Sequence, residues 1–416
     1  MPVVITDVAD LYPVTDRAAA LAQVGRGEEI WDARVARFNA HLDAMGGPRV
    51  TRAPAAAWVN FADPEAFPVA SVADLPPALV APGERYSLHL AEQLIGRGGP
   101  MPKGVHISSG DAEVDISKST FLCALGVPVG PDLIRTAYDP IGVLARLQGL
   151  KKPSVSRTVE ASISGSVALL DAVARIEEGV SDCGIVVASS AQLVPLGFET
   201  VAVGGGPTRS ALPFEDEASG HFASEGAVGL VVREEAAARA AGVPALARIA
   251  GHAFGTFGSS VVNRLVVTEV VLRALESAGV DPEAPVLVDL YGRGNRIDDG
   301  AELAAMEKVT ERYPGLATAY LKGDRHYVVG THGLQGLVRL LEARATGAPV
   351  GPLAFHPRSA LLQARPMSHL SADPDGYAHV VFLGYSLHGS VVAIVLDLTD
   401  GAVGVRQPAP VLGVAA

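Results

Sequence analysis

Short β-branched runs, each followed by a glycine-punctuated turn and a helical pattern, restrict what this chain can fold into more than any other feature. VVIT opens the chain, GVHISSG occupies 104–110, GIVVASS 184–190 and GAVGLVVRE 226–234. Strand signals that alternate with helix signals predict an α/β fold with helices packed on a largely buried sheet. One helix is predicted over 166–178, where Val167, Leu170, Val173 and Ile176 recur at near-helical spacing and Gly179 supplies the stop.

The pattern occurs twice. In the first half TVEAS enters a tight SISGS turn before a helix; in the second, VLVDLYGRG and AYLKGDRHYVVGTHG each leave a strand for a glycine-containing loop. Each half closes with a strand pair, GIVVASS with GAVGLVVRE and HVVFLGYS with SVVAIVLDL. Two similar α/β halves related by a pseudo-twofold are therefore expected, 1–245 and 246–416, with the boundary near 242–250. The proline-rich stretch 48–82 is read as an irregular excursion that packs on the body, because Trp58, Phe61 and Phe67 are too apolar for a free linker.

Composition removes several functions. With 33 Lys+Arg against 45 Asp+Glu the net charge is −12, the wrong sign for a chain that tracks phosphates, so no nucleic-acid partner is expected. Cys123 and Cys183 lie in apolar surroundings far apart, which offers neither a disulfide framework nor a CxxC metal site. Neither a signal peptide nor an apolar run long enough to span a membrane is apparent, and a soluble cytoplasmic protein is expected. No GxxxxGK[ST] or GxGxxG stands in place after a strand, and no GxSxG elbow occurs. His326 and His332, with Asp324 nearby, lack a helical ligand register and read as surface or structural histidines, so neither metal nor cofactor is expected. Ser162, Ser164 and Ser166 sit beside a helix N-terminus, where an oxyanion is stabilised; their plainer reading is packing of a tight turn.

The order of these segments resembles a β-ketoacyl synthase, the condensing-enzyme branch of the thiolase fold, over nearly the whole chain. VVITDVADLYPV matches the N-terminal strand and turn, and RTVEASISGSVALLDAVARIEEGVSDCGIVVASS the nucleophile strand, turn, helix and next strand. LPFEDEASGHFASEGAVGLVVRE stands where the family has RPFD, DGF and GEGAG. VDLYGRGNRIDDGAE matches the first histidine loop, LKGDRHYVVGTHGLQGLVRLLEA the lysine and second histidine, and FLGYSLHGSVVAIVL the glycine-rich C-terminal loop. The resemblance implies a layered α-β-α-β-α thiolase-like architecture.

It also implies a catalytic Cys and two His, and all three positions differ. The TACSS-type turn puts Ile163 at the nucleophile. Gly292, with Asp299 eight residues and Glu302 eleven residues beyond Tyr291, puts Tyr291 at the first histidine. Lys322 five residues before Tyr327, and Gly333 six after it, put Tyr327 at the second; His326 could serve only through a bulge. Lys322 and Glu302 are kept, and Lys322 is read as part of a buried ionic or hydrogen-bond network. Leu387 replaces the gating Phe of the C-terminal loop.

This is how the chain-length factor of type II polyketide synthases looks, a catalytically incompetent homologue that pairs with an active ketosynthase and lines the far end of its acyl tunnel. The aromatic-polyketide version commonly has Gln at the position of Ile163. The resemblance implies a heterodimer with a catalytic ketosynthase, contact with acyl carrier protein through that complex, and Val114, Ile116 and, more weakly, Phe121 at the tunnel floor. Two alternatives stay open: an acyltransferase using Ser162 or Ser164 with Tyr291, Tyr327 and Lys322 as helpers, and a silent homodimeric scaffold.

Overall fold

A computed structural model describes residues 1–11, 36, 39–40, 43, 82–97, 105–111, 154–190, 213–214, 225–259, 261–322, 327–346, 376–386 and 388–399. The stretch 48–82 (Pro82 apart) and Val114, Ile116, Phe121, Cys123, Asp324, His326 and Leu387 lie outside the described residues.

The first five strands are β1 (Val3–Leu11), β2 (Val105–Asp111), β3 (Ser154–Thr158), β4 (Cys183–Ser190) and β5 (Gly226–Glu234), with helices α1 (Pro82–Arg97), α2 (Ser164–Glu177) and α3 (Glu235–Ala240). The next five are β6 (Ala247–Thr256), β7 (Val286–Asp289), β8 (Leu316–Ala319), β9 (His379–Tyr385) and β10 (Ser390–Asp397), with helices α4 (Arg264–Ser277), α5 (Arg296–Thr310) and α6 (His332–Thr346). Among the described residues these ten strands form one sheet in the order β3-β2-β4-β5-β1-β6-β10-β9-β7-β8. Outward from the central β1/β6 pair, β1-β5-β4-β2-β3 and β6-β10-β9-β7-β8 repeat one topology. The two inner pairings of each are antiparallel and the two outer ones parallel. β1 and β6 join the two sets through Val3↔Ile249, Val4↔Arg248 and Ile5↔Ala247.

The strands read as continuous apolar runs because both of their faces are buried. In β10, Val391, Ala393 and Val395 enter one core and Val392, Ile394 and Leu396 another. β4 divides in the same way, Val186 and Ala188 facing inward and Ile185 and Val187 outward. The inner core also holds Ala168, Leu169 and Ala172 of α2 and Leu334, Leu337 and Leu341 of α6. α1 covers the outer face of the first set, against β4 and β5, while α4 covers that of the second, with α5 beside it. The layers therefore run α1, strands, α2 with α6, strands, α4 with α5, the expected α-β-α-β-α order. Each fully buried Leu, Ile or Val stabilises the body by about 1.5–3 kcal/mol relative to exposure.

Helix α2 begins at Ser164, two residues before the predicted start, because the Ser164 hydroxyl serves the preceding turn and Gly165 N donates to Gly330 O at 2.8 Å. Its end follows the prediction. Gly179 has φ +72°, and Val180 N donates back to Arg175 O at 2.8 Å, closing the last turn. β2 and the start of α2 touch at Gly110, where a Cβ would meet Gly165 N at 2.6 Å.

Candidate active site

β3 leads into a short 3₁₀ turn, Ala161–Ile163, and then into α2. Ala161 has φ +46°, a left-handed conformation that costs a non-glycine residue about 1–3 kcal/mol, so the turn has to be held. Ser164 holds it: its hydroxyl donates to Ala161 O and accepts from Glu160 N, both at 2.8 Å. Ile163 N donates to Glu160 O at 3.2 Å, and the Ile163 side chain is fully buried against Gly384 of β9. The position at the helix N-terminus therefore carries an alkyl group, and its own N–H is engaged within the turn.

Two tyrosines close over this turn. Tyr327 donates its hydroxyl to Ser162 Oγ at 2.7 Å, and the Tyr291 and Tyr327 hydroxyls lie 2.9 Å apart. Each hydroxyl has one proton, so donation from Tyr327 to Ser162 leaves Tyr291 to donate to Tyr327. The three hydroxyls form a chain from Tyr291 through Tyr327 to Ser162. Burial, then the neighbouring Tyr327, pushes the Tyr291 phenol well above its ordinary range, so it is a neutral donor rather than a base. His332, at the start of α6, packs edge-on against Tyr291 with centroids 4.8 Å apart, and its Nε2 lies 2.9 Å from Tyr291 O. His332 is fully buried, so of the surface and structural readings the second describes it.

Glu302 and Lys322 take backbone partners. Glu302 accepts from Tyr291 N at 2.5 Å, Gly292 N at 3.0 Å and the Tyr385 hydroxyl at 3.1 Å. Burial pushes its carboxyl up to about 7, against the pull of those backbone N–H groups and of Lys322. Lys322 Nζ donates to Asp289 Oδ2 and to Leu290 O, each at 2.7 Å, while Asp289 Oδ1 accepts from Leu321 N at 2.7 Å. Neither side chain is exposed. Asp299 accepts from Phe214 N at 2.8 Å and Gly294 N at 3.1 Å; burial raises its carboxyl to about 8. Arg293 pairs with Asp298 at 3.0 Å, buried beside the same loop.

Asp289, Arg293, Tyr385 and His332 were not singled out as site residues from the sequence. For Asp289 the signal was a lone carboxylate ending the apolar run VLVD, whose burial requires a partner. Cys183, in β4, is remote from this site, and burial raises its thiol to about 11. Among the described residues no group of three or more His, Cys, Asp or Glu could hold a metal ion, and no helix is long and apolar enough to cross a membrane.

Among solved structures the ishigamide ketosynthase/chain length factor superposes with a TM-score of 0.71 at 18% identity, covering 95% of this chain and 98% of that one. The fold is that of a ketosynthase. A type II polyketide ketosynthase in complex with its acyl carrier protein (AntDE:AntF) gives 0.68 at 19% identity over 96% and 99% of the two chains. A β-ketoacyl synthase from Burkholderia phymatum gives 0.66 at 19% identity over 96% and 99%. No family model matches the sequence.

Curated relatives match over shorter stretches. A putative polyketide β-ketoacyl synthase of Streptomyces coelicolor is 33% identical over 150 residues, 34% of this chain and 35% of that protein. One of Streptomyces cyaneus is 31% identical over 167 residues, 36% and 39%. Erythronolide synthase EryA3 of Saccharopolyspora erythraea is 29% identical over 228 residues, 51% of this chain but 7% of that protein. The chain thus spans well under half the length of these relatives. It resembles the ketosynthases and, among them, the chain-length factors, with Ile163, Tyr291 and Tyr327 grouped at one end of α2 in this ketosynthase fold.

Proposed function

We propose that this chain is a ketosynthase-like subunit of a polyketide synthase that performs no condensation of its own and works as the chain-length-factor partner of a catalytic ketosynthase. The observation that carries this reading is the closed site at the head of α2. An alkyl side chain, Ile163, stands where a nucleophile would have to be, and the hydroxyls around it already bond one another. Condensation needs a nucleophile to hold the acyl group and basic or polarising groups to form and stabilise the carbanion. Tyrosines tied into a hydroxyl chain with Ser162 supply neither.

The same geometry weighs against an acyltransferase built on the serines. Ser164 uses its hydroxyl proton on Ala161 O, and the Ser162 oxygen is buried and accepts from Tyr327. Among the described residues neither serine is hydrogen-bonded to a basic side chain.

In this reading the two halves, 1–245 and 246–416, form one ketosynthase-like body. Val114, Ile116 and Phe121 line the distal acyl tunnel, Leu387 stands in the gate-like loop, and the acyl carrier protein is met through the cytoplasmic heterodimer. The test is coexpression with candidate ketosynthases, followed by sizing and intact-mass analysis with acyl- and malonyl-loaded carrier protein. Expected are a stable 1:1 complex burying roughly 2,000 Å² or more and an acyl adduct on the ketosynthase alone. An adduct on Ser162 or Ser164 of this chain, or a homodimer that ignores every ketosynthase, would refute the proposal. Ile163→Cys alone is expected to remain inactive, since the new thiol would face tyrosines.

A further inference from the structure

Among the described strands, β3 alone contributes no side chain to the three hydrophobic cores, and its Val155 is 38% exposed. It pairs with β2 in parallel register from His106↔Ser154 to Gly110↔Thr158, and its other ties are polar. Arg157 reaches Glu84 of α1 at 3.3 Å. The second tie is His106, fully buried on β2. Its Nδ1 lies 2.8 Å from Ser154 Oγ, and the ring is also hydrogen-bonded to the Ser154 backbone. Its Nε2 lies 3.0 Å from Ser156 Oγ and 2.9 Å from Asp171 Oδ2 on α2. Asp171 accepts in turn from Ser156 Oγ at 2.5 Å and Arg175 Nε at 3.1 Å, and Ser108 Oγ lies 3.1 Å from Ser156 Oγ. One imidazole thus joins β2, β3 and α2.

A neutral imidazole has one N–H and one lone pair, and a serine hydroxyl both donates and accepts. With Ser154 and Ser156 on either side, each neutral tautomer finds a partner at both nitrogens. We propose that His106 is a proton-sensitive clasp for β3: in acid, uptake of one proton by the ring favours release of β3 from β2 and α2, and loosens the Ile163 turn into which β3 runs. Burial disfavours the protonated ring, helped by Arg175; the Asp171 hydrogen bond and charge and the Ser154 backbone favour it, but burial prevails and holds the ring below its ordinary value. A ring freed into water regains that ordinary value. The clasp therefore contributes stability that is present above the ordinary histidine value and lost as pH falls below it, by up to about tenfold per pH unit for one proton. The other charges facing the ring are constant in that range. Burial raises the Asp171 carboxyl, but hydrogen bonds from Ser156 and His106 outweigh it and keep the group ionised, while an arginine such as Arg175 holds its charge. On β4, Gly184 stands level with His106 and brings no charge.

The test is amide hydrogen exchange of the full chain at pH 5.5 and pH 7.5, read by mass spectrometry, with labelling times scaled for the intrinsic pH dependence of exchange. Peptides over 154–158 should lose protection at pH 5.5 by up to about tenfold, while those of β9 and β10 keep theirs. His106→Gln, neutral at both pH values, should abolish the difference, and unfolding curves establish that this variant folds. Exchange of the histidine C2 hydrogen in the wild-type chain, read on the peptide that holds His106, follows the ring's titration without any variant and should place it below the ordinary value. Protection of β3 that ignores pH, a pH effect that survives in folded His106→Gln, or a His106 that titrates at or above the ordinary value would overturn the proposal. None of these readouts involves condensation or ketosynthase binding, so the clasp and the partner-subunit reading fail separately.

Discussion

Lys322→Met is the most direct way to find out what the buried lysine does. Its ammonium is fully buried and has two partners in the structure, Asp289 Oδ2 and Leu290 O, both at 2.7 Å. Met keeps the length of the side chain and removes the charge and the donors. Breaking a buried ion pair from one side costs about 3–5 kcal/mol, since the other charge is left without compensation in a site with little water. The deficit should depend on pH. Burial already raises the Asp289 carboxyl and Lys322 is the main opposing influence, so without Lys322 the folded-state value climbs further. A carboxyl raised by folding contributes stability that is present at low pH and lost as pH rises through its folded value, at up to about 1.4 kcal/mol per unit for one proton. Urea unfolding at pH 5.5 and pH 8 should therefore give a variant much weaker than wild type at pH 8 and closer to it at pH 5.5. Adding Asp289→Asn, whose Oδ1 still accepts from Leu321 N, should recover most of the loss. A change within about 1 kcal/mol at both pH values would refute the reasoning, because no buried charge could then have been abandoned.

The hydroxyl chain makes its own prediction: Tyr327→Phe leaves the buried Ser162 oxygen without the Tyr327 donor and should cost about 1–3 kcal/mol, with Tyr291→Phe coupled to it in a double-mutant cycle read by chemical unfolding. Gly336 lies on α6 where an added Cβ would come within 2.0 Å of Asp289 Oδ2, so Gly336→Ala should destabilise by about 3 kcal/mol or more and lower the thermal midpoint. In the reconstituted heterodimer, Val114→Trp and Ile116→Trp should shorten the product and the Ala variants should lengthen it or broaden its distribution. Unchanged product mass at normal complex yield would move the length-setting role to Phe121 or remove it from this segment.

The duplicated architecture was legible because its strands are buried on both faces: GIVVASS, GAVGLVVRE and SVVAIVLDL leave little room for another reading. β6 was less legible. Its sequence, ARIAGHAFGT, mixes Arg, His and Gly among apolar residues, and its burial alternates because the second residue of each pair is only partly covered. Position also determined what could be read at the site. Ile163, Tyr291 and Tyr327 could be named from local spacing to Gly292, Glu302 and Lys322, but the hydroxyl contacts of the two tyrosines join residues 36 and 165 positions apart. No periodicity reports a contact of that range.

The pattern of what is kept and what is changed has a physical explanation in these contacts. Glu302 and Lys322, two charged residues kept from the ketosynthase pattern, bond to backbone as well as to side chains: Tyr291 N and Gly292 N for the first, Leu290 O beside Asp289 for the second. Removing either exposes buried amide groups or a buried carboxylate to an apolar interior, a cost of several kcal/mol whether or not the protein turns over substrate. Ile163, Tyr291 and Tyr327 present side chains rather than backbone ligands to the centre of the site, so alternatives that fill the space and satisfy one another preserve the fold. A lysine and a glutamate at family positions are thus weak evidence of catalysis in such a scaffold. The informative positions are those whose only obligation is to the reacting atoms.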